Sequence, residues 1–343
     1  MEILIPSIFL SLFGLFNLFG ISQSLFFHQL VYFIIGFIVF FVVKSMGRNF
    51  FHINAIFFYW LLSAILIITF VVGLEVKGSK RWLDFYFFNF QASEFFKVFF
   101  ILFIAQYLNK KKILENNLVF FLKSFIYFFI PTIIIFKQPD LGNATVFAFI
   151  YIVILMFSDY SKRHFIYLFS ITGLLAPVAW TLLKTYQKAR IMSFFNPHFD
   201  PQGTAYNMIQ AVITIGSGKF FGRGLGLGTQ SRLYFLPENT TDFAFASLVE
   251  QFGFFGGFLV ILFYSIIVYF IAKKTIKYFF QHDPDSKIKF LYSLGILSYF
   301  VFQIFVNIGM NMGLLPIAGV ALPFISYGGS SVLALMIGFA LLP

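Results

Sequence analysis

Long apolar runs recur along the whole 343-residue chain, and they limit its possible folds more than any other feature. Most of these runs approach the ~20 residues that an α-helix needs to cross the hydrocarbon core of a bilayer. Because no water is available there to satisfy backbone groups, we expect such runs to be helical. Hydrophobic residues make up 60% of the chain and charged residues 11%, which excludes an ordinary soluble domain. The sequence therefore predicts an all-α integral membrane protein.

Ten apolar runs are candidate spans, and we expect them to form one polytopic membrane domain over residues 1–343. They cover approximately residues 3–20, 25–43, 53–73, 93–108, 118–136, 141–157, 165–183, 247–272, 288–310 and 322–342. The first run follows almost no basic segment and precedes no small-residue cleavage site. We therefore interpret it as a retained helix rather than as a removed signal peptide.

The distribution of Lys and Arg indicates the orientation, because cytoplasmic loops carry an excess of both. With the N-terminus inside, the inner loops hold twelve: Lys44, Arg48, Lys110, Lys111, Lys112, Lys162, Arg163, Lys273, Lys274, Lys277, Lys287 and Lys289. The short outer loops hold four: Lys77, Lys80, Arg81 and Lys137. The sequence thus predicts cytoplasmic termini and an outer segment at about residues 184–246. Membrane orientation also accounts for the net charge of +11 without nucleic acid as a partner.

The outer segment is the one long connection between predicted spans, and connections of this length are usually functional or disordered. Its stretch YNMIQAVITIGSG puts four apolar side chains on one helical face: Met208, Ile209, Val212 and Ile213. This pattern predicts a short interfacial or re-entrant helix. The Gly-rich residues 216–228 are typical either of a flexible loop or of backbone that approaches a ligand closely. Both interpretations remain open at the level of sequence.

Five basic residues give the outer segment its positive charge: Lys188, Arg190, Lys219, Arg223 and Arg232. A cationic outer pocket beside a carboxylate suits an anionic, phosphate-bearing substrate. Contact with lipid headgroups is the alternative use of such side chains. The chain has no cysteine, and its five histidines share no metal-ligand spacing, so no metal centre is predicted.

Asp242 is one of only 13 Asp and Glu residues, and it lies where a Pro-Glu-Asn-Thr-Thr turn enters an apolar helix. We expect Asp242 or Thr241 to cap that helix, and proton abstraction by Asp242 is the functional alternative. Glu94 and Lys97 are three residues apart in a predicted span, so they share a helix face and can pair. Ser93 is expected to cap their helix. The pair either neutralises itself for structural reasons or serves function, as ionisable residues within spans often do.

Asp140 in KQPDLG is expected at the N-cap of the sixth span. Glu94, Asp140 and Asp242 then all fall at outer helix ends. Arg81 and Trp82 lie in an outer loop just before Glu94. Together these residues predict an outward-facing polar site in a ten-helix membrane protein.

Five motifs, taken in order, closely resemble the SEDS family of cell-wall polymerases. They are GSKRWLDF, FQASEFFK, KQPDLG, YNMIQAVITIGSGKFFGRGLGLGTQSRLYFLPENTTDFAFA and NIGMNMGLLPIAGVALPFISYGGSS. The family has an elongation branch (RodA) and a division branch (FtsW). The stretch IGSGKFFGRGLGLGTQSRLYFLPE is most similar to the RodA branch.

The resemblance implies a peptidoglycan glycosyltransferase that polymerises lipid II at the outer face of the bacterial cytoplasmic membrane. It also implies a partner, a class B penicillin-binding protein that cross-links the new glycan. Carried over by motif, Asp242 matches the family's essential acid and is the candidate general base. The substrate-binding candidates, besides the five basic residues of the outer segment, are Arg81, Trp82, Glu94, Lys97, Asp140, Gln230, Glu238 and Ser326.

Two places depart from the family's pattern. Ala92 stands where a Pro is usual, which loosens the start of the fourth span. Asn239 and Thr240 replace the more usual Arg-His pair, which removes positive charge beside the proposed base.

Lipid II carries an α-linked sugar on undecaprenyl pyrophosphate, whereas the glycan is β-linked, so the resemblance implies inversion at the anomeric carbon. That displacement needs a base for the attacking 4-hydroxyl. The departing pyrophosphate must be stabilised by basic residues or by a divalent cation, Mg²⁺ or Mn²⁺. The sequence is also compatible with two other functions. One is a flippase for lipid-linked precursors, and the other is a non-catalytic scaffold for the penicillin-binding protein.

Overall fold

The computed structural model describes residues 2–76, 79–85, 88–109, 118–158, 185–196, 205–281 and 285–343, with isolated positions at 166–183, 203 and 283. The helices in these residues are α1 (Leu4–Ile21), α2 (Gln23–Met46), α3 (Arg48–Ile53), α4 (Ala55–Val72), α5 (Ala92–Asn109), α6 (Leu118–Lys137), α7 (Leu141–Met156), α8 (Thr185–Phe195), α9 (Tyr206–Ser217), α10 (Thr229–Arg232), α11 (Ala244–Phe279), α12 (Ser286–Asn311) and α13 (Gly329–Ala340). The strands are β1 (Leu74–Val76), β2 (Ser79–Asp84) and β3 (Asn89–Phe90).

Seven of the described helices are long and apolar enough to cross a membrane: α1, α2, α4, α5, α6, α11 and α12. The shorter helices α7 and α13 are apolar as well. These nine helices coincide with nine of the predicted spans, and the all-α membrane class is confirmed. The remaining predicted span, residues 165–183, lies outside the described residues except at isolated positions.

A small antiparallel sheet, in the order β1-β2-β3, connects α4 to α5. The sequence did not predict it. Leu74 faces Trp82 across the first pair of strands, and Leu83 faces Phe90 across the second. The sheet matters for the site because it holds Arg81 and Trp82 against the start of α5.

Two predicted spans have different limits in the structure. The last one was placed at residues 322–342, but α13 begins only at Gly329, because residues 312–328 form an irregular segment. α11 is longer than predicted and is broken at Gly253, where φ is 72° and ψ is −171°. Only glycine adopts such a backbone conformation without strain. α11 is therefore two helical segments, Ala244 to Phe252 and Phe254 to Phe279.

The helix that the sequence predicted in the outer segment is present as α9. Of the four apolar residues predicted to share one face, Met208 is buried together with Ala211 and Thr214, whereas Val212 and Ile213 are exposed. The helix packs mainly on α11, and that contact selects the buried face.

α5 and α12 lie at the centre of the bundle. α12 packs against α11, α7 and α5, and α5 also packs against α4 and α13. Nearly all of α5 is buried, including the side chain of Lys97, whereas α2, α4 and α6 expose large apolar side chains. Ionisable residues on α5 must therefore find their partners inside the protein.

The residues of the predicted site gather at one end of the bundle. There the backbone N–H of Gly328 donates to Gln29 Oε1 (3.0 Å), and that of Gln91 donates to Ser330 Oγ (2.9 Å). At the other end Lys274 Nζ donates to the carbonyl oxygen of Pro343 (2.9 Å) and lies near Glu2. Residues near both termini thus share the end opposite the predicted site.

Candidate active site

Asp242 lies in a tight turn directly before α11. Glu238 adopts a positive φ of 54°, and its carbonyl accepts hydrogen bonds from the N–H groups of Thr241 (3.2 Å) and Phe243 (3.0 Å). The Thr241 hydroxyl donates to Glu238 Oε2 (2.7 Å). The turn is therefore closed by Glu238, one of the predicted substrate-binding residues.

The prediction that Thr241 or Asp242 caps α11 is wrong. The N-cap residue is Phe243, and it makes no side-chain capping bond. Instead Asn311, at the end of α12, accepts a hydrogen bond from the N–H of Ala246 (3.0 Å). A side chain from another helix thus satisfies one of the free donors of the first turn.

Neighbouring elements clamp the backbone around Asp242. Its carbonyl oxygen accepts from Asn307 Nδ2 and from Asn311 Nδ2, both at 3.0 Å. Ser326 Oγ donates to the carbonyl of Thr241 (2.6 Å), and the N–H of Tyr327 donates to that of Thr240 (2.8 Å). The half-buried carboxylate of Asp242 lies against Gly319, where an added Cβ would be 3.7 Å from Oδ2. These four hydrogen bonds hold the backbone of the turn through its carbonyl oxygens.

Tyr327 is part of the same clamp and packs against Tyr32, with ring centroids 6.1 Å apart. Partial burial raises the pKa of Tyr327 to about 12, and Tyr32 contributes to the shift. The phenol therefore stays protonated near neutral pH, so it is a hydrogen-bond donor rather than a base.

A second polar cluster surrounds Lys97. The predicted pairing with Glu94 is confirmed, with Nζ 2.7 Å from Oε1. Lys97 also donates to Asn143 Oδ1 (2.9 Å) and lies over the ring of Tyr299, 4.7 Å from its centroid. The Tyr299 hydroxyl donates to Glu94 Oε2 (3.2 Å). Because these groups are buried together, each charge is paired or hydrogen-bonded.

Asn143 joins this cluster to Asp140. Its Nδ2 donates to Asp140 Oδ2 (2.9 Å), and its backbone N–H donates to Oδ1 (3.2 Å). The second bond makes Asp140 the N-cap of α7, as predicted. Asn143 Nδ2 also reaches Ser93 Oγ (3.4 Å). Ser93 lies inside α5, which begins at Ala92, so the prediction that Ser93 caps this helix is wrong.

Arg81 closes the cluster toward the end of the bundle at which the predicted site lies. Its guanidinium donates to the carbonyl of Pro139 and lies 3.8 Å from Asp140 Oδ1. The side chain of Arg81 is 21% exposed, that of Asp140 only 1%. The buried Nε of Arg81 has no hydrogen-bond partner among the described residues, so the guanidinium retains a donor. Polar contacts thus run continuously from Arg81 to Tyr299.

Backbone contact brings the Asp140 cluster next to Asp242. A Cβ added to Gly142 would lie only 2.2 Å from the carbonyl oxygen of Ala318, so only glycine permits this approach. Residue 319, the next in the chain, lies beside the carboxylate of Asp242, where an added Cβ would be 3.7 Å from Oδ2. The two clusters therefore adjoin the same short backbone segment.

The Gly-rich loop is anchored by Glu250, a buried residue of α11. The Glu250 carboxylate accepts hydrogen bonds from the backbone N–H groups of Gln230 (2.8 Å) and Ser231 (2.9 Å), and from the Ser231 hydroxyl. The N–H of Arg223 donates to its carbonyl (2.9 Å), and that of Gly226 donates to Gln251 Oε1 (3.0 Å). Of the two interpretations of this loop, flexibility is therefore not supported.

The other predicted binding residues lie along the same end of the bundle. Arg223 Nε donates to the carbonyl of Ser217 (3.3 Å), Arg232 Nη1 donates to that of Gly226 (3.2 Å), and Lys219 is exposed. Lys188 lies on α8 and its Nζ is 3.4 Å from the carbonyl of Thr181. The described contacts do not join Lys188 to the three loop cations. The side chain of Arg190 lies outside the described part of the chain.

Several polar residues of these networks were not singled out from the sequence, among them Asn143, Glu250, Tyr299, Asn307 and Asn311. Glu250 and Asn143 carried a usable signal, since polar residues inside apolar runs suggest function or pairing. Tyr299 acts across the bundle, since Glu94, to which its hydroxyl donates, is 205 positions away. Asn307 and Asn311 reach Asp242 from 65 and 69 positions away. Among the described residues, no group of three or more His, Cys, Asp or Glu could hold a metal ion.

Replacing Glu250 with Gln is expected to loosen the Gly-rich loop selectively. A hydrogen bond to a charged group contributes roughly 1.5–3 kcal/mol, and an amide cannot accept all three bonds on carboxylate oxygens. Amide hydrogen exchange over residues 224–232 should therefore accelerate by at least about tenfold. Glu75→Gln, on an exposed residue of β1, is the matched control and should change nothing there. Unaltered protection in Glu250→Gln would show that other contacts hold the loop.

The fold and site together define a polytopic membrane protein with acidic and basic side chains assembled at one end of its helical bundle. Residues 4–343 match the family model for the FtsW, RodA and SpoVE cell cycle proteins. The chain belongs to this family.

Relatives with curated names agree with that assignment, and a solved structure has the same fold. The chain is 36% identical over 275 residues to stage V sporulation protein E of Bacillus subtilis, covering 79% of this chain and 72% of the relative. It is 35% identical over 276 residues to peptidoglycan glycosyltransferase MrdB of Escherichia coli K12, covering 78% and 71%. The same fold is found in a solved chain of a peptidoglycan synthase complex that coordinates polymerization and crosslinking. The TM-score is 0.84 and the identity 24%, and the match covers 99% of this chain and 95% of the other.

Proposed function

We propose that this chain is a peptidoglycan glycosyltransferase of the elongation type, which polymerises lipid II at the outer face of the bacterial cytoplasmic membrane. The observation that carries the proposal is the placement of Asp242. Its backbone is clamped by Asn307 and Asn311, while its carboxylate lies beside the segment that packs against the Asp140 cluster. Family membership and the names of relatives such as MrdB support the same activity.

Asp242 acts in this proposal as the general base. Its carboxylate takes the proton from the 4-hydroxyl of the acceptor sugar, and that oxygen attacks the anomeric carbon of the donor. The new bond joins the acceptor oxygen to the anomeric carbon, and the bond from that carbon to the pyrophosphate oxygen breaks with inversion. Pyrophosphate leaves with the bonding electrons and needs no proton, so a second carboxylic acid is unnecessary. A positioned base of this kind contributes typically 10²–10⁴-fold.

Arg81 is the strongest candidate among the described residues for binding a phosphate. Its side chain is partly exposed, and it lies beside Asp140 at the end of the bundle that carries the site. Lys97 and Glu94 are buried, so they support the site indirectly, through Asn143 and Asp140. Lys219, Arg223 and Arg232 give this end of the protein a positive potential that attracts the pyrophosphate from a distance, and Trp82, Gln230 and Ser326 lie on the segments that frame the site.

The proposed partner is a class B penicillin-binding protein. The similarity of this fold to a chain of a synthase complex that coordinates polymerization and crosslinking supports that choice. The chain lies in the bacterial cytoplasmic membrane with both termini in the cytoplasm. A divalent cation, Mg²⁺ or Mn²⁺, would enter with the pyrophosphate as a Lewis acid.

Polymerisation of lipid II by the purified protein tests this function. The assay is run alone and with a cognate class B penicillin-binding protein whose transpeptidase serine has been acylated by a β-lactam. Glycan strands resolved by electrophoresis in either reaction are the expected result. If neither reaction yields strands from folded protein, the enzyme proposal is wrong. Movement of labelled lipid II across proteoliposomes in that case would favour a flippase.

A further inference from the structure

The length of the apolar run in α11 locates the outer boundary of the membrane along this helix. Residues 254–272 carry no charge, and Lys273, Lys274 and Lys277 follow them. At 1.5 Å per residue this run is about 28 Å long, close to the ~30 Å thickness of a bilayer hydrocarbon core. With the lysines at the cytoplasmic surface, Gly253 lies at the outer edge of the hydrocarbon.

The 219–227 loop is bonded to α11 at that edge. The N–H of Phe254 donates to the carbonyl of Lys219 (2.8 Å), and that of Phe255 donates to the carbonyl of Phe220 (3.1 Å). The break at Gly253 leaves these two N–H groups without partners in their own helix, and the loop supplies the acceptors. The loop backbone is therefore held at the level where the membrane-spanning part of α11 begins.

The side chains of the loop expose a large apolar surface at this depth. The exposed fractions are 54% for Phe220, 79% for Phe221, 43% for Leu225 and 62% for Leu227. Leaving such side chains in water is unfavourable relative to burying them. Contiguous exposed apolar surface therefore indicates a contact with a membrane or a protein.

This surface continues the lipid-facing surface of α11. The ring centroid of Phe220 is 5.9 Å from that of Phe254, which is 6.5 Å from that of Phe258. Phe254 and Phe258 are themselves 61% and 51% exposed on the apolar, membrane-spanning part of the helix. Lys219 and Arg223 alternate with the apolar residues and are exposed too. Aromatic rings with flanking cations are typical of membrane interfaces.

We propose that the 219–227 loop is a membrane-anchoring element. Phe220, Phe221, Leu225 and Leu227 insert into the outer leaflet, and Lys219 and Arg223 lie at the level of the lipid phosphates. The occupant of this surface is the bilayer itself rather than a second protein. The inference depends on the geometry of the loop and α11 and holds whether or not the chain polymerises lipid II.

Site-directed spin labelling tests the anchor directly, because the chain has no native cysteine. Single-cysteine variants Phe221→Cys and Leu227→Cys are labelled and reconstituted into vesicles of phosphatidylcholine and phosphatidylglycerol. Phe258→Cys is the lipid-facing control, and Asp283→Cys, on an exposed residue at the other end of the bundle, is the aqueous control. Collision rates with oxygen and with a water-soluble nickel chelate present on both sides are measured for each label.

The ratio of oxygen to nickel collisions at positions 221 and 227 is expected to lie closer to that at 258 than to that at 283. Ratios at both loop positions closer to that at 283 would overturn the proposal and leave the surface for a protein partner. Since two loop positions are read separately, failure of one variant to fold does not prevent a decision.

Discussion

Asp242→Asn is expected to reduce the rate of lipid II polymerisation by about 10²–10⁴-fold, which is the usual contribution of a general base. The amide has nearly the same shape as the carboxylate but cannot take a proton from the acceptor hydroxyl. Folding should be unaffected, because the bonds from Asn307, Asn311 and Ser326 reach backbone atoms rather than the Asp242 side chain. The measurements are the initial rate of glycan formation and the unfolding temperature in the same detergent.

Asp84→Asn is the matched control for this variant. Asp84 is another acid at the outer end, exposed at the end of β2, and its replacement should leave the rate unchanged. A fully active Asp242→Asn protein would remove Asp242 as the base and make Asp140 the next candidate. Loss of activity accompanied by a large drop in unfolding temperature would instead show that the clamp needs the carboxylate.

Lys97→Met is expected to destabilise the protein by about 3–5 kcal/mol, because it leaves the buried carboxylate of Glu94 without its cation. Lys97 is inaccessible to solvent, and it is hydrogen-bonded to both Glu94 and Asn143. Chemical denaturation in detergent micelles, followed by intrinsic fluorescence, measures the change. A variant as stable as the parent would mean that Glu94 takes up a proton or another partner at little cost.

The double variant Glu94→Gln/Lys97→Met separates stability from function. Removing both charges eliminates the uncompensated carboxylate, so most of the lost stability should return. Asn143 would still lack the ammonium that binds its Oδ1, so Asp140 would be held less firmly. We therefore expect a folded but slower enzyme. Recovery of full activity in the double variant would show that the pair serves folding only.

The sequence predicted best what depends on residues close together in the chain. Apolar runs located the spans, the three-residue spacing located the Glu94–Lys97 pair, and an acid before an apolar run located the N-cap of α7. Each feature is decided within about one helical turn, where spacing fixes geometry. The family resemblance added the candidate role of Asp242.

The sequence failed where distant segments decide the outcome. Asn311 does the capping that was expected of Thr241 or Asp242, and it comes from the end of the next helix. The strands before α5 were missed because β1 and β3 have only three and two residues, too few for an alternating pattern to show. Contacts between distant segments decide both features, and no local pattern reports them.

The contact at Gly142 has a consequence for the size of molecule that this end of the bundle accepts. Backbone packed directly on backbone has no rotamer to adjust, so α7 and the segment at Ala318 cannot shift apart or together as side chains can. The backbone at the start of α7 and the segment beside Asp242 are accordingly held at a fixed separation. A headgroup that binds between these two segments must match that separation, because neither can move to accommodate a larger one.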